Sequence, residues 1–186
     1  MKQPEPVVLA RGRVSLEPWE PRHDEELLEA ATSPDVWQWL PVPQPRDAQQ
    51  LRSSLVQPGW VTFAVVVDGI ASGLTSYLDI DLTVDGLEIG GTWYRKELWA
   101  TDVNPTCKLL LMTHAFEELG AQRITLKTDG RNTRSQAAIR KLGCQYDGTL
   151  RHHRLRADGS VRDSAFFSLL AAEWPAAKAG LLARLS

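Results

Sequence analysis

The chain has 186 residues, with 21 lysines and arginines against 23 aspartates and glutamates and a formal net charge of −2. That balance supplies no global field to attract nucleic acid or an anionic membrane, and the ordinary apolar fraction excludes a disordered chain. The two cysteines, Cys107 and Cys144, fall inside predicted regular structure, which excludes a disulfide scaffold and points to a reducing cytoplasm; no signal-peptide core and no apolar run near the ~20 residues of a membrane span are present.

Residues 1–6 read as a loose tail, and Val7 to Leu16 as one strand kinked or bulged at Gly12 and ended by Pro18 and Pro21. Arg22 to Thr32 predicts a short amphipathic helix with Asp24, Glu25 and Glu26 at its dipole-favoured start. Ser33-Pro34 opens a helical turn carrying Trp37 and Trp39, a proline linker follows, and Arg46 to Val56 predicts a third helix. From Trp60 the pattern turns β-branched. Trp60–Val67 and Ile70–Ile80 form a hairpin about Asp68-Gly69, and Leu87–Tyr94 is the next strand.

A helix follows over Pro105–Leu119, stopped by Gly120, with Asn104 as N-cap and Pro105 at the first position. A strand that ends near Tyr94 and a loop that feeds a helix N-terminus aim free N–H groups at one spot, which suits an anion such as phosphate. Then come a strand at Arg123–Thr128, a helix at Asn132–Leu142 ended by Gly143, and a hairpin of Cys144–Arg156 with Val161–Leu170 about Asp158-Gly159. The last helix runs from about Trp174 to Leu185. No linker divides the chain, so 1–186 reads as a single domain with its core at about 10–175. Crossover helices within a meander predict a mixed sheet with helices on its faces.

Four stretches carry a family resemblance: Leu16-Glu17-Pro18 with His23 and Leu27; Leu87 to Trp93; Asn132-x-x-Ser135 with Lys141-Leu142-Gly143 and Gly148-x-Leu150-Arg151; and Arg154-Leu155 through Arg162-Asp163 to Glu173-Trp174-Pro175. In this order they resemble the GNAT superfamily of acyl-CoA-dependent N-acetyltransferases, in its RimJ/RimL-like branch, the ribosomal-protein N-terminal acetyltransferase type. The resemblance implies an α/β (α+β) GNAT fold: a mixed, mostly antiparallel sheet of about seven strands, splayed in the middle, with helices on both faces. It also implies acetyl-CoA as cosubstrate and no metal, a primary amine on a protein N-terminus or a small molecule as acceptor, and a possible homodimer. The end of the Glu88–Tyr94 strand (Trp93, Tyr94) would meet the pantetheine arm, and the loop Trp99, Ala100, Thr101, Asp102, Val103 and Asn104 would wrap the pyrophosphate. Asn132 and Ser135 would lie by the arm and thiol.

Asp102 stands where this loop normally wants glycine. A carboxylate beside pyrophosphate costs binding unless it points outward. It carries the second reading, a catalytically degenerate acyl-CoA-binding or structural module, while Lys108, Arg131 and Arg134 are the cations at hand.

Acetyl transfer to an amine needs a neutral amine, a held pair of reactants, donors for the developing oxyanion and a proton for the leaving thiolate. Glu88 is the candidate base, set against a salt-bridge role, and Ser135 the candidate for the thiolate, with Tyr146 a second hydroxyl set against a core role. His23 and His114 read as packing residues, and Cys107 as a thiol that the helix dipole could acidify. Alternation places His152, Arg154 and Arg156 on one face of their strand and Arg151, His153 and Leu155 on the other; one face reads as a lining of the acceptor cleft and the rest as a solvated basic edge, set against a nucleic-acid surface. Trp37, Trp39 and Trp60 read as core or as a wall of the acceptor pocket.

Overall fold

Val7–Leu16 folds as a hairpin and not as one kinked strand. In a computed structural model describing residues 1–186, β1 (Leu9–Arg11) turns through Gly12 and Arg13 into β2 (Val14–Pro18), with Arg11 paired to Val14. Gly12 is thus the first central residue of a two-residue turn, and the extra strand raises the sheet to eight.

Three short helices follow: α1 (Asp24–Ala30), α2 (Pro34–Trp37) and α3 (Ala48–Leu55). Asp47 caps α3 by accepting the Gln50 N–H at 2.8 Å. Then come β3 (Val61–Val67), β4 (Ile70–Asp81), β5 (Gly86–Tyr94), α4 (Val103–Thr113), β6 (Arg123–Asp129), α5 (Thr133–Arg140), β7 (Gln145–Leu155), β8 (Val161–Leu170) and α6 (Trp174–Arg184).

The sheet order is β1-β2-β3-β4-β5-β6-β8-β7. Every neighbouring pair is antiparallel except β5 and β6, which run parallel. One face packs Leu87, Ile89, Ile124 and Phe167 against α4 and α6 in a core of 29 buried residues. The other packs Ala64, Val66, Leu74 and Trp93 against α1, α2 and α3 in a core of 12. Each fully buried leucine in these layers, such as Leu111 on α4, removes enough apolar surface from water to contribute roughly 1.5–3 kcal/mol.

The central helix departs from expectation at both ends. It begins at Val103 with Asp102 in the cap position, so Asn104 is its second residue and not its cap. Past Thr113 the backbone widens into a π turn over His114–Glu118, where the Leu119 N–H reaches the His114 carbonyl at 3.0 Å. The buried Tyr77 hydroxyl holds this point, donating to the Leu111 carbonyl at 2.7 Å and lying 3.1 Å from His114 Nδ1. The sequence marks none of this, because a π turn uses the same apolar residues as the helix it interrupts.

Candidate active site

β5 and β6 pair through Gly86–Arg123, Leu87–Ile124 and Glu88–Thr125, and there the pairing stops. Beyond it β5 follows β4 as far as Tyr94, while β6 follows β8 as far as Asp129. The two strands part into a wedge. At its mouth each feeds a helix, β5 into α4 and β6 into α5, so both helix N-termini open onto the gap.

A bulge reshapes β5 inside the wedge. Leu74 pairs with Trp93 and Ser76 with Gly90, leaving Thr75 opposite both Gly91 and Thr92. Gly91 sits at φ +59°, a conformation glycine adopts at little cost. The extra residue also inverts the alternation. Leu87 and Ile89 face the α4 side, so Glu88 and Gly90 face the α1–α3 side. After the bulge Trp93 lies on the α1–α3 side, stacked at a tilt on Trp37 with ring centres 5.3 Å apart, and Thr92 faces α4.

Glu88 thus stands at the vertex of the wedge, buried to 3% exposure. Its Oε2 lies 2.6 Å from the Lys127 ammonium on β6, which also reaches Asp79 at 3.2 Å. Burial pushes the Glu88 carboxyl above the usual carboxylate range, and Lys127 opposes that rise without cancelling it. The carboxylate rests over Gly90, where an added Cβ would meet Glu88 Oε1 at 2.6 Å. Arg162, buried on β8, donates from Nε to Ser164 Oγ at 2.9 Å, and His153 Nδ1 lies 2.9 Å from the same hydroxyl. The base candidate therefore has the salt-bridge partner that the sequence set against that role.

On the α4 side the Lys108 side chain is 5% exposed, and its ammonium donates to Thr92 Oγ1 at 3.0 Å. Thr92 Oγ1 is in turn 2.8 Å from Thr75 Oγ1. Burial brings the Lys108 ammonium down to about 8. Cys107 is no acidic thiol: burial pushes it up to about 12, which outweighs the dipole of α4.

The loop from Trp99 to Asn104 forms one side of the mouth. Trp99 Nε1 donates to the Tyr94 carbonyl at 3.2 Å, the Thr101 hydroxyl donates to the Leu98 carbonyl at 2.7 Å, and Ala100 takes φ +62°. Val103 is fully buried in the core. Asn104 accepts the Tyr94 hydroxyl at 3.1 Å. Asp102 leaves the wedge: its Oδ1 is 2.7 Å from Arg13 Nη2 on the β1–β2 turn, across β5 from β6. The hydrogen bond from Arg13 holds its carboxyl below the usual range. From the opposite lip, the Arg134 guanidinium on α5 lies 3.8 Å over the Trp99 ring.

Asn132 is the N-cap of α5, accepting the Ser135 N–H at 3.0 Å. Ser135 is half-buried in the first turn. The chain enters that turn through buried Asp129, which takes Arg156 Nε at 2.6 Å and Nη2 at 3.1 Å. Arg156 is thus a structural clamp and no solvated edge residue. The face reading of β7 fails at His152, whose φ of +54° breaks the alternation. Tyr146 is exposed on this edge strand and not a core residue, with its hydroxyl 2.6 Å from Thr149 Oγ1. His23 and His114 are buried, as packing residues are. Trp37 is core, Trp60 lies against the Gly91 bulge, and Trp39 sits under Arg131 at 5.7 Å. Sequence reasoning missed Lys127 and the burial of Lys108. Alternation on β6 could have put Lys127 on one face with Thr125, the partner of Glu88, but nothing local marks a lysine on a helix's inner face.

Residues 13–145 match the family model described as an acetyltransferase (GNAT) domain. The “Putative ribosomal N-acetyltransferase YdaF” of Bacillus subtilis is 27% identical over 171 residues, 86% of this chain and 92% of the relative. A GCN5-related N-acetyltransferase from Brucella melitensis superposes with a TM-score of 0.92 at 26% identity, over 99% of this chain and 87% of that one. Mycobacterium smegmatis RimJ, solved with CoA-disulfide, shares the fold at a TM-score of 0.81 and 19% identity, over 96% and 95% of the two chains. No helix is long and apolar enough to cross a membrane, and no group of three or more His, Cys, Asp or Glu side chains is placed to hold a metal ion. With its wedge between parallel strands and its match over most of its length, the chain belongs to the GNAT acetyltransferase family.

Proposed function

We propose that the chain moves an acetyl group from acetyl-CoA to a primary amine by direct transfer, with a protein N-terminus as acceptor. The observation that carries this reading is the wedge that opens past Glu88 and Thr125 with two helix N-termini at its mouth. Its walls suit a narrow pantetheine arm laid along β5 from Tyr94 and Trp93 inward, like an added strand. The loop Trp99–Asn104, the first turn of α4 and Arg134 suit the pyrophosphate. Asn132 and Ser135 suit the arm, and the backbone of the bulge suits the thioester oxygen.

Glu88 takes the proton of the incoming amine from the α1–α3 side, directly or through water. A carboxyl raised by burial is a better base than a free one. The acceptor comes from the name of one relative, YdaF, which is named for ribosomal N-acetylation. A cytoplasmic location, a homodimer and one domain over the whole chain belong to the same proposal. The degenerate-module reading rested on Asp102; with that carboxylate turned to Arg13, no observation favours it.

The test is a melting curve with acetyl-CoA or CoA, followed by assay on peptides with free and with blocked N-termini. Ligand at 100-fold over its dissociation constant stabilises by about 2.7 kcal/mol, several degrees at this size. Absence of any shift overturns the acetyl-CoA reading. Equal thiol release with free and blocked peptides overturns the N-terminal acceptor.

A further inference from the structure

Lys108 is a buried ammonium with one hydrogen-bond partner, the Thr92 hydroxyl at 3.0 Å, and no carboxylate within ion-pair distance. The ionisable groups around it are thiols: Cys107 beside it on α4 and Cys144 at the entry to β7, with Tyr94 of β5 beyond Cys107. A buried cation with unused donors and no counter-charge is costly, and such groups are retained where an anion forms.

Its position names the anion. The β5 bulge turns Glu88 to one side of the strand and Thr92, with Lys108, to the other. Glu88 is the last β5 residue paired to β6, and Thr92 lies beyond it, on the stretch of β5 that β6 has left. A thioester seated at the bulge, as the acetyl-CoA reading has it, would meet an amine from the Glu88 side and turn its sulfur to the Lys108 side.

We propose that the Lys108 ammonium is the cation that receives the leaving sulfur of CoA, holding the thiolate and returning a proton to it. This inference rests on the acetyl-CoA reading above. The amine nitrogen bonds to the carbonyl carbon, the carbon–sulfur bond breaks, and its electron pair stays on sulfur. The acceptor's proton passes to Glu88. The proton on Lys108 Nζ passes to sulfur, giving free CoA and a neutral lysine that is reprotonated from solvent. Ser135 then hydrogen-bonds the arm, and the charge that stabilises the thiolate is that of Lys108.

The test needs no acceptor. CoA is bound to the wild-type chain, Lys108→Met, Lys108→Arg and Ser135→Ala, and its thiol is titrated by the pH dependence of its alkylation rate. The expected result is a thiol that ionises at least tenfold more readily on the wild type than free in solution. Lys108→Met returns it to the free value, while Lys108→Arg and Ser135→Ala keep it lowered. An unshifted thiol on the wild type, or an equal shift in Lys108→Met, overturns the role of Lys108 and leaves the acetyl-CoA reading standing. A wild-type chain that shows no melting shift with CoA fails at the earlier reading and takes this one with it.

Discussion

The Asp102 carboxylate and the Arg13 guanidinium meet at 2.7 Å on the side of β5 away from β6. Arg13 also holds Asp68 on the β3–β4 turn at 3.0 Å, so two hairpins are tied to the start of α4 by one side chain. An acid in the loop proposed for the pyrophosphate, read from sequence as a liability, is thereby turned outward. Asp102→Gly and Asp102→Asn are expected to leave the CoA dissociation constant within about twofold of the wild type, as exposed ion pairs add little. Titration calorimetry with CoA checks this. A tenfold tightening in Asp102→Gly places the carboxylate against phosphate after all.

Arg134 is expected to matter where Asp102 does not. Its guanidinium lies 3.8 Å over Trp99 and closes the mouth of the wedge between α5 and the loop. Arg134→Ala loses that stacking and a cation beside the proposed pyrophosphate site. CoA affinity should fall roughly tenfold, with weaker dependence on salt than in the wild type. Unchanged affinity and salt dependence remove Arg134 from the cofactor site.

Glu88→Gln keeps the shape of the vertex and removes the proposed base. Turnover is expected to drop by about 10²–10⁴ with little change in acetyl-CoA affinity. Burial raises the Glu88 carboxyl and Lys127 partly restrains it, so the wild-type rate should fall as pH drops through a value above the ordinary carboxylate range. The active form is the carboxylate, so protonation is the loss. Lys127→Met takes away the restraining charge and should move that limb to still higher pH. A limb that persists in Glu88→Gln belongs to another group.

Gly90→Ala tests the close approach under that carboxylate. The new Cβ would stand 2.6 Å from Glu88 Oε1 and 2.6 Å from Leu78 Cδ1, so both side chains must move. The expected outcome is a stability loss of about 1–3 kcal/mol and a fall in turnover, with acetyl-CoA affinity kept. Full activity shows that the position of Glu88 is not critical to within the ångström this change imposes.

Element order from Trp60 onward was legible because alternation, turn pairs such as Asp68-Gly69 and helix stops such as Gly120 are local signals. Glu88 and Asn132 were legible as candidates for the same reason. What stayed hidden is long-range. Lys127 meets Glu88 only because β6 is parallel to β5, and Arg156 meets Asp129 across a hairpin. Nothing near Asp102 announces Arg13, 89 residues earlier in the chain. The inner-face burial of Lys108 contradicts the usual exposure of lysine, and sequence pattern assigns such a residue to the surface.

Lys108 also leaves a mark on stability that is independent of any ligand. In the unfolded chain its ammonium titrates near 10.5, and burial brings it to about 8 in the fold. Below pH 8 both states carry the proton, and the folded state bears the full cost of the buried charge. Between about 8 and 10.5 the unfolded chain binds a proton that the folded chain has released, so stability from this residue rises with pH. Lys108→Met removes the charge and is expected to stabilise the protein at pH 7, by at most about 3 kcal/mol. The advantage of Lys108→Met over the wild type should then shrink as pH rises through that window, whatever the other groups contribute, because they are common to both chains. Denaturant unfolding of the two proteins across a pH series reads the difference. A constant difference would mean that Lys108 keeps its proton in the fold, paired to a group with which the structure gives it no contact.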